Sequence, residues 1–178
     1  IINTVEKLVT ENGAHAINVR QVLKELDITN RVFYNRFHNI DEVLEIIYKR
    51  TILKIRECVD ANCKIENEND FFNYVMDIIV SSLTSSYDNK MKFIHYVFEN
   101  DSISKSNFQW WTMEIKKLID FAMEKGYIKQ VDSEVLSYSI WCFVRGYNAD
   151  AVARGVPRDE AVARFKYSFG FLLEGLKR

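Results

Sequence analysis

Helix-breaking residues are scarce in this sequence of 178 residues, which contains one proline and six glycines. Together with a hydrophobic content of 48%, this composition favours long helices over a sheet-rich or disordered chain. No apolar run approaches the roughly 20 residues that a membrane-spanning helix needs. We therefore expect an all-α protein that has no membrane partner.

Cysteine and histidine are few and scattered. Cys58, Cys63 and Cys142 show no Cys-x-x-Cys spacing, and the three histidines do not cluster, so neither a disulfide framework nor a zinc site is indicated. The sequence lacks GxSxG, HExxH and phosphate-binding glycine loops, which disfavours an enzyme. We predict a reduced, cytoplasmic chain without a cofactor or a metal ion. We do not expect its first residues to be a signal peptide, and because it begins with Ile rather than Met we expect upstream residues to be missing.

The sequence also lacks an excess of charge of either sign, since it has 24 basic and 25 acidic residues and a net charge of −1. This balance neither indicates nor excludes a nucleic-acid partner, so charge must be considered locally. Between residues 18 and 38 four basic side chains stand against two acidic ones. The local excess is modest compared with the extended basic patch of many DNA-binding proteins.

Residues 18–37 have the pattern of two short helices joined by a tight turn. Asn18 is a good N-cap for the first helix. Asp27 lies in the turn, where a residue that tolerates left-handed backbone angles is useful. Thr29 caps the second helix, which starts at Asn30. The side chains that we expect to face inward from this second helix are Val32, Phe33 and Phe37.

The outward side chains of the second helix suit a DNA groove. An Arg fork matches guanine O6 and N7, an Asn amide matches adenine N6 and N7, and a Tyr hydroxyl reaches phosphate. The first turn of a recognition helix makes the base contacts, and Thr29, Asn30 and Arg31 occupy that turn. The predicted DNA-binding residues are Asn18, Arg20, Thr29, Asn30, Arg31, Tyr34, Asn35, Arg36 and His38.

The first fifty residues resemble the DNA-binding head of the TetR/AcrR family of transcriptional regulators. The family pattern is roughly Gly-Val-Ser-x-x-x-Leu-Tyr-x-His-Phe-x-x-Lys-x-x-Leu, after a first helix that ends in glycine. In this sequence Gly13 ends that helix, and the residues in register are Thr29, Phe33, Tyr34, Phe37 and Leu44. Asp27 replaces the usual Gly, Arg36 the usual His and Ile40 the usual Lys. The resemblance implies a phosphate contact at position 40, which Arg36 and His38 would replace.

The resemblance implies an N-terminal three-helix helix-turn-helix head and a C-terminal helical body for ligand binding and dimerisation, about nine helices in all. We place the head at residues 1–45 and the body at residues 46–178. Such a protein would bind a palindromic operator in double-stranded DNA as a homodimer. It would be a repressor that a small-molecule effector of unknown identity releases from DNA.

Several body helices can be predicted from periodicity and breakers. The fourth helix runs from Asp41 to about Cys63, and the polar residues 64–70 form a loop. Serines fray the next helix, which closes at residues 87–89, and residues 100–104 form a turn. Pro157 occupies the first turn of the last helix.

The aromatic content of the body suggests a ligand cavity, because small-molecule pockets are apolar with a few polar groups. Trp110 and Trp111 are adjacent and cannot face the same direction on a helix. Glu99 is a further candidate polar anchor, and ordinary core packing is the alternative for each aromatic. The predicted ligand-binding residues are His95, Tyr96, Trp110, Trp111, Glu114, Trp141 and Arg145.

The last two helices are the candidates for the dimer interface. In the resemblance they pair with their copies in a second subunit as a four-helix bundle. The alternative is that the same apolar residues pack inside their own chain. The predicted interface residues are Ile140, Val144, Phe165, Phe169, Leu172, Leu173 and Leu176.

A helical ligand-binding or protein-binding module that has lost DNA binding is the main alternative function. It would explain the near-neutral charge and the absence of Lys at position 40. The two hypotheses differ in whether Arg31 and Tyr34 are exposed on the same face as Thr29.

Overall fold

The computed structural model describes residues 1–57, 59, 64–88, 91–103 and 105–178. Within these ranges the chain forms nine α-helices and a short 3₁₀-helix. In the same ranges Ile128 and Lys177 form an isolated antiparallel β-bridge. The prediction of an all-α fold with about nine helices is confirmed.

The N-terminal part of the chain contains four helices. They are α1 (Ile2–Asn12), α2 (Val19–Leu26), α3 (Asn30–Tyr34) and α4 (Ile40–Arg56), with the 3₁₀-helix Ala14–Ala16 between α1 and α2. Gly13 ends α1 with φ of 87°, a backbone angle that glycine adopts without the steric cost of a Cβ atom.

The predicted cap at Asn18 and the left-handed turn at Asp27 are confirmed, whereas the side-chain cap at Thr29 is not. Asn18 and Gln21 form a capping box, in which each side-chain oxygen accepts the backbone N–H of the other residue. Asp27 ends α2 with left-handed backbone angles, φ 50° and ψ 46°. Thr29 is the N-cap residue of α3, although its side chain makes no capping hydrogen bond.

Helix α3 differs from its prediction in length and in one inward residue. It ends at Tyr34, so Phe37 lies beyond the helix, where its ring packs at 5.7 Å from Phe33. Phe33 is fully buried, but Val32 is 42% exposed, and its assignment to the inward face was wrong. A helix of five residues has room for one buried side chain, and Phe33 takes that place.

The remaining helices form the body. They are α5 (Glu68–Asp88), α6 (Met91–Ile103), α7 (Lys105–Lys125), α8 (Ser133–Ala153) and α9 (Arg158–Leu176). Asp132 caps α8, as its oxygen accepts two backbone N–H groups. Pro157 is the N-cap residue of α9 and therefore lies one position before the predicted first turn.

Three predicted helix ends were wrong, and so was the predicted fraying of α5. Helix α4 stops at Arg56 rather than near residue 63, and α5 starts inside the predicted loop because Asn67 accepts the backbone N–H of Asp70. The serines do not fray α5, since the Ser86 hydroxyl donates to a carbonyl one turn back. Helix α6 continues through Asn100, where a turn was predicted. Predicted features at Cys58, Cys63, Asn89 and Ser104 lie outside the described residues.

The described residues form three clusters of buried side chains, and the smallest lies around Trp111 of α7. The first lies beneath α1 to α4 and includes Val97 of α6, while the second surrounds Phe165 and Phe169 of α9. Helix α1 packs against both α4 and α6. A body helix thus helps to close the core of the head, and the division between residues 45 and 46 stays a prediction.

Candidate DNA-binding surface and ligand cavity

The outward face of α3 carries the predicted DNA-binding side chains. Arg31 and Tyr34 are three residues apart, so they are neighbours on one side of the helix. Tyr34 is 54% exposed. The other exposed members of this surface, which we call the α3 face, are Thr29, Asn30, Arg31, Asn35 and Arg36. Arg31, Tyr34 and Thr29 are all exposed, as DNA binding by this helix requires. That they share one face stays a prediction.

The flanking candidates differ in what they contact. Arg20 is exposed on α2, whereas the side-chain oxygen of Asn18 is used in the capping box. His38 donates its backbone N–H to Glu42 Oε2 at 2.8 Å, and its Nδ1 lies 3.1 Å from the same oxygen. These hydrogen bonds hold the pKa of Glu42 below its ordinary value. The Glu42 carboxylate beside His38 would repel a DNA phosphate at this position. Arg36 is therefore the better replacement for the missing Lys.

A cavity of about 110 Å³ lies between α4 and the helices of the body. Three of the predicted ligand-binding residues line it, namely Trp111, Trp141 and Arg145. The indole rings of Trp111 and Trp141 are stacked with 6.4 Å between centroids. Most of the other lining side chains are apolar, so the cavity has the character of a small-molecule site.

The other four predicted ligand-binding residues do not line this cavity. His95 is exposed, and the ring of Tyr96 stacks on Phe93 at 5.4 Å. Trp110 lies under the Arg56 guanidinium, 4.6 Å from it, and stands perpendicular to its neighbour Trp111. Glu114 pairs with Lys117 at 2.6 Å. The further candidate Glu99 lies 3.1 Å from His15 of the 3₁₀-helix.

One end of the cavity is polar, and most of its residues were not predicted. Asp101 accepts hydrogen bonds from Tyr48 Oη at 2.6 Å and from Asn107 Nδ2 at 2.9 Å. Arg56 Nη2 donates to Asn107 Oδ1 at 2.8 Å. Because Tyr48 and Arg56 belong to α4, this network joins the cavity to the helix that follows the head.

Arg145 and Asn148 of α8 complete the polar end. Arg145 Nη2 donates to the carbonyl oxygen of Phe98 at 2.8 Å and also to Ser102 Oγ. The buried atoms Arg145 Nε and Asn148 Oδ1 have no hydrogen-bond partner among the described residues. Such atoms cost free energy unless a ligand or a water molecule pairs with them.

Burial raises the pKa of Asp101 above its ordinary value, and this effect outweighs the two hydrogen bonds and both guanidinium groups. The folded state therefore binds a proton more tightly than the unfolded state, whose pKa is about 3.9. The free energy of unfolding should fall as the pH rises from the pKa of Asp101 in the unfolded chain to its higher pKa in the folded protein. Asp101→Asn should remove this fall, as urea denaturation from pH 4 to 7 would measure.

Asp120→Asn is the control of opposite sign. In the unmodified protein Lys116 donates a hydrogen bond to Asp120 and lowers the pKa of its carboxyl group. The stabilisation by this carboxylate is therefore lost as the pH falls. Relative to Asp120→Asn, the unmodified protein should therefore become less stable towards acid. A pH dependence of the same sign for both variants would contradict the assignment at Asp101.

Most of the predicted dimer-interface residues face the interior of their own chain. Phe165 and Phe169 are fully buried, and Ile140, Val144, Leu173 and Leu176 line the cavity. Leu172 is half-buried against the same core. In the single chain these six residues pack towards the interior, because the most apolar stripe of a helix packs into the core of its own chain. Their place at a dimer interface stays a prediction.

Other apolar side chains of α8 and α9 are exposed. Tyr167 is 73% exposed and Phe171 is 65% exposed, and their rings meet at 5.1 Å on the outer side of α9. On α8 the exposed apolar side chains are Val135, Tyr138 and Phe143. We call these five residues the outer α8/α9 face. Exposed apolar side chains such as the adjoining rings of Tyr167 and Phe171 make this face a candidate interaction site.

Comparison with known proteins identifies the fold. No protein-family model matches the sequence. The Transposon Tn10 TetC protein of Escherichia coli is 19% identical over 140 residues, which span 76% of this chain and 70% of TetC. A TetR-family transcriptional regulator from Pectobacterium atrosepticum superposes with a TM-score of 0.71 at 18% identity, and the match covers 99% of this chain and 91% of that one. A protein from Syntrophomonas wolfei assigned to the same family gives 0.72 at 13% identity, covering 98% and 93%.

The likeness seen in the first fifty residues thus extends over the whole described structure, which has the fold of TetR-family transcriptional regulators. None of its described helices is long and apolar enough to cross a membrane. In the same part of the chain no three His, Cys, Asp or Glu side chains converge as metal ligands would.

Proposed function

We propose that this chain is a sequence-specific DNA-binding transcriptional regulator that acts in the cytoplasm as a homodimer. We further propose that it is a repressor, released from its operator when a small molecule fills the body cavity. The observation that carries the proposal is the exposed α3 face in a TetR-family fold. Arg31 and Asn30 offer the groups that read base edges, and Tyr34 reaches phosphate.

A single head offers few contacts, so the proposal requires two. Helix α3 has only five residues, and one turn of it can meet the bases. Two heads set about 34 to 36 Å apart would read successive major grooves on one side of the duplex. The operator would then be a palindrome, because the two-fold axis of the dimer is repeated in the DNA.

We propose the outer α8/α9 face as the surface that a second copy covers. Its exposed aromatic side chains would lose contact with water in a four-helix bundle made from two copies of α8 and α9. Aromatic residues are enriched where protein interfaces are buried. This assignment replaces the interface predicted from periodicity.

Ligand control would reach the head by two routes. Ile52 and Ile55 of α4 line the cavity, and α4 follows the helix-turn-helix directly. Val97 of α6 also lines it and belongs to the core of the head. A ligand that needs more than about 110 Å³ would displace these helices. It would weaken operator binding only to the extent that it binds the displaced arrangement of these helices more tightly than the undisplaced one.

The first test is selection of bound duplexes from a random DNA pool by the full chain. We expect a palindrome whose half-sites lie about one helical turn apart. Arg31→Ala should weaken binding by about 1 to 3 kcal/mol and relax the preference at one position of each half-site. Uniform weakening on all sequences would instead make Arg31 a phosphate contact.

Arg178→Ala is the matched control, since it removes the same charge from an exposed position just after α9. It should leave both affinity and sequence preference unchanged. If no motif is recovered and binding at physiological salt is only nonspecific, the alternative of a helical ligand-binding or protein-binding module is favoured.

A further inference from the structure

The polar end of the cavity contains two buried atoms with complementary needs. Arg145 Nε carries a hydrogen to donate, and Asn148 Oδ1 has lone pairs to accept one. Neither atom has a partner within the described ranges of the chain, and Asn148 is only 4% exposed. The two residues are three positions apart on α8, so their side chains are neighbours on one side of the helix.

The orientation of Arg145 is fixed by its other contacts. Its Nη2 is held by the Phe98 carbonyl oxygen and Ser102 Oγ, both on α6. The positive charge of Arg145 has a negative partner inside the protein, because Asp101 interacts electrostatically with the guanidinium groups of Arg145 and Arg56. The polar end therefore has a hydrogen-bond donor and an acceptor to satisfy, and it has a carboxylate already.

We propose that the cavity binds a compact molecule about the size of one aromatic ring, which carries a hydroxyl group. The hydroxyl oxygen accepts a hydrogen bond from the Arg145 Nε–H, and its hydrogen is donated to Asn148 Oδ1. A hydroxyl is the smallest group that meets both needs, since it combines one donor with two acceptor lone pairs. A carboxylate accepts only, and it would leave Asn148 Oδ1 facing negative charge.

The size and lining of the cavity define the rest of the molecule. Its volume of about 110 Å³ is somewhat below the 150 Å³ of an engineered apolar cavity that takes up benzene. Phe98, Trp111 and Trp141 line it, and aromatic rings pack well against one another. The role of such a molecule as an effector rests on the proposed function, whereas its binding can be measured on the protein alone.

The experiment compares phenol, toluene and benzoate at equal concentrations. Phenol and toluene have the same number of heavy atoms and differ in the hydroxyl, while benzoate supplies the anion. Each is titrated into the full chain, with the shift in Tm and the fluorescence of the cavity tryptophans as readouts. We expect phenol to bind at least about tenfold more tightly than toluene, as befits paired buried polar groups.

Asn148→Leu removes the acceptor and keeps the volume. It should weaken phenol about tenfold while toluene binds as well or better. Ser137→Ala is the control on the same helix, because Ser137 is buried but its hydroxyl donates to the Glu134 carbonyl and does not line the cavity. This variant should keep the preference for phenol. Arg145→Lys, which loses the Nε–H, should reduce the preference if Asn148→Leu does not fold.

Two outcomes would overturn the proposal. Tighter binding of benzoate would mean that Asn148 turns its Nδ2 inward and that the site recognises an anion. No Tm shift with any of the three probes would mean that water satisfies the two atoms. Phenol binding that leaves operator affinity unchanged would contradict ligand control in the proposed function. It would still support the proposed hydroxyl-binding site.

Discussion

Replacing Phe171 by Glu should separate the protein into monomers and abolish tight operator binding. Phe171 is 65% exposed in one chain, and it lies on the outer α8/α9 face that we propose is covered by a second copy. In a two-fold interface the substitution occurs twice, and each new carboxylate would be buried without a partner. Because linked heads bind DNA far more tightly than separate ones, operator affinity should fall about 100-fold or more.

Sedimentation velocity and operator binding at the same protein concentration would measure both effects. Met113→Glu introduces the same charge at an exposed apolar position on α7 and should leave a dimer that binds the operator. Phe169→Ala should act differently, lowering the free energy of unfolding by about 3 to 5 kcal/mol because it empties part of the core. A Phe171→Glu protein that stays dimeric would mean that the second copy sits on another face.

The helix-turn-helix could be predicted from the sequence because its signals are local. Capping by Asn18, the left-handed turn at Asp27 and the start of α3 after Thr29 depend on neighbouring residues only. The number of helices was also predictable, since a chain with one proline offers few breaks. The inward face of α3 was predicted less well, because five residues do not establish a periodicity.

The side of α9 that faces the core could not be predicted, because α9 is aromatic on opposite sides. Phe165 and Phe169 are fully buried, while Tyr167 and Phe171 between and beyond them are exposed. Periodicity identifies two aromatic pairs of equal spacing, and hydrophobicity alone does not decide which pair meets the core. That decision depends on where α5 packs against α9, which is a tertiary contact between distant parts of the chain.

Arg145 was predicted, but Asp101 and Asn148 at the polar end of the cavity were missed for a different reason. Asp101 lies where the sequence predicts a turn, although the helix continues through that position. Asn148, however, continues the apolar stripe of Ile140 and Val144 on α8, and a polar residue in such a stripe is a usable signal. The sequence could therefore have pointed to Asn148, but the distance along the chain hides the fact that it lines the same cavity as Asp101.

Phe33→Ala should destabilise the head more than any other single change on α3. Phe33 is fully buried beneath the α3 face, and its ring lies 5.4 Å from Tyr34 and 5.7 Å from Phe37. Truncating a buried Phe costs about 3 to 5 kcal/mol, because it removes apolar burial and leaves a cavity. Since small domains are stable by only about 5 to 15 kcal/mol, much of the head would be unfolded at moderate urea concentrations.

Urea denaturation followed by circular dichroism, together with operator binding, would measure this loss. Val32→Ala is the control on the same helix, because Val32 is 42% exposed and truncating it should change stability by no more than about 0.5 kcal/mol. Periodicity assigned both side chains to the inward face, so the pair of variants separates that prediction from the structure. Equal destabilisation by the two changes would mean that α3 is rotated about its axis, and the α3 face would then no longer present Arg31 and Tyr34 to DNA.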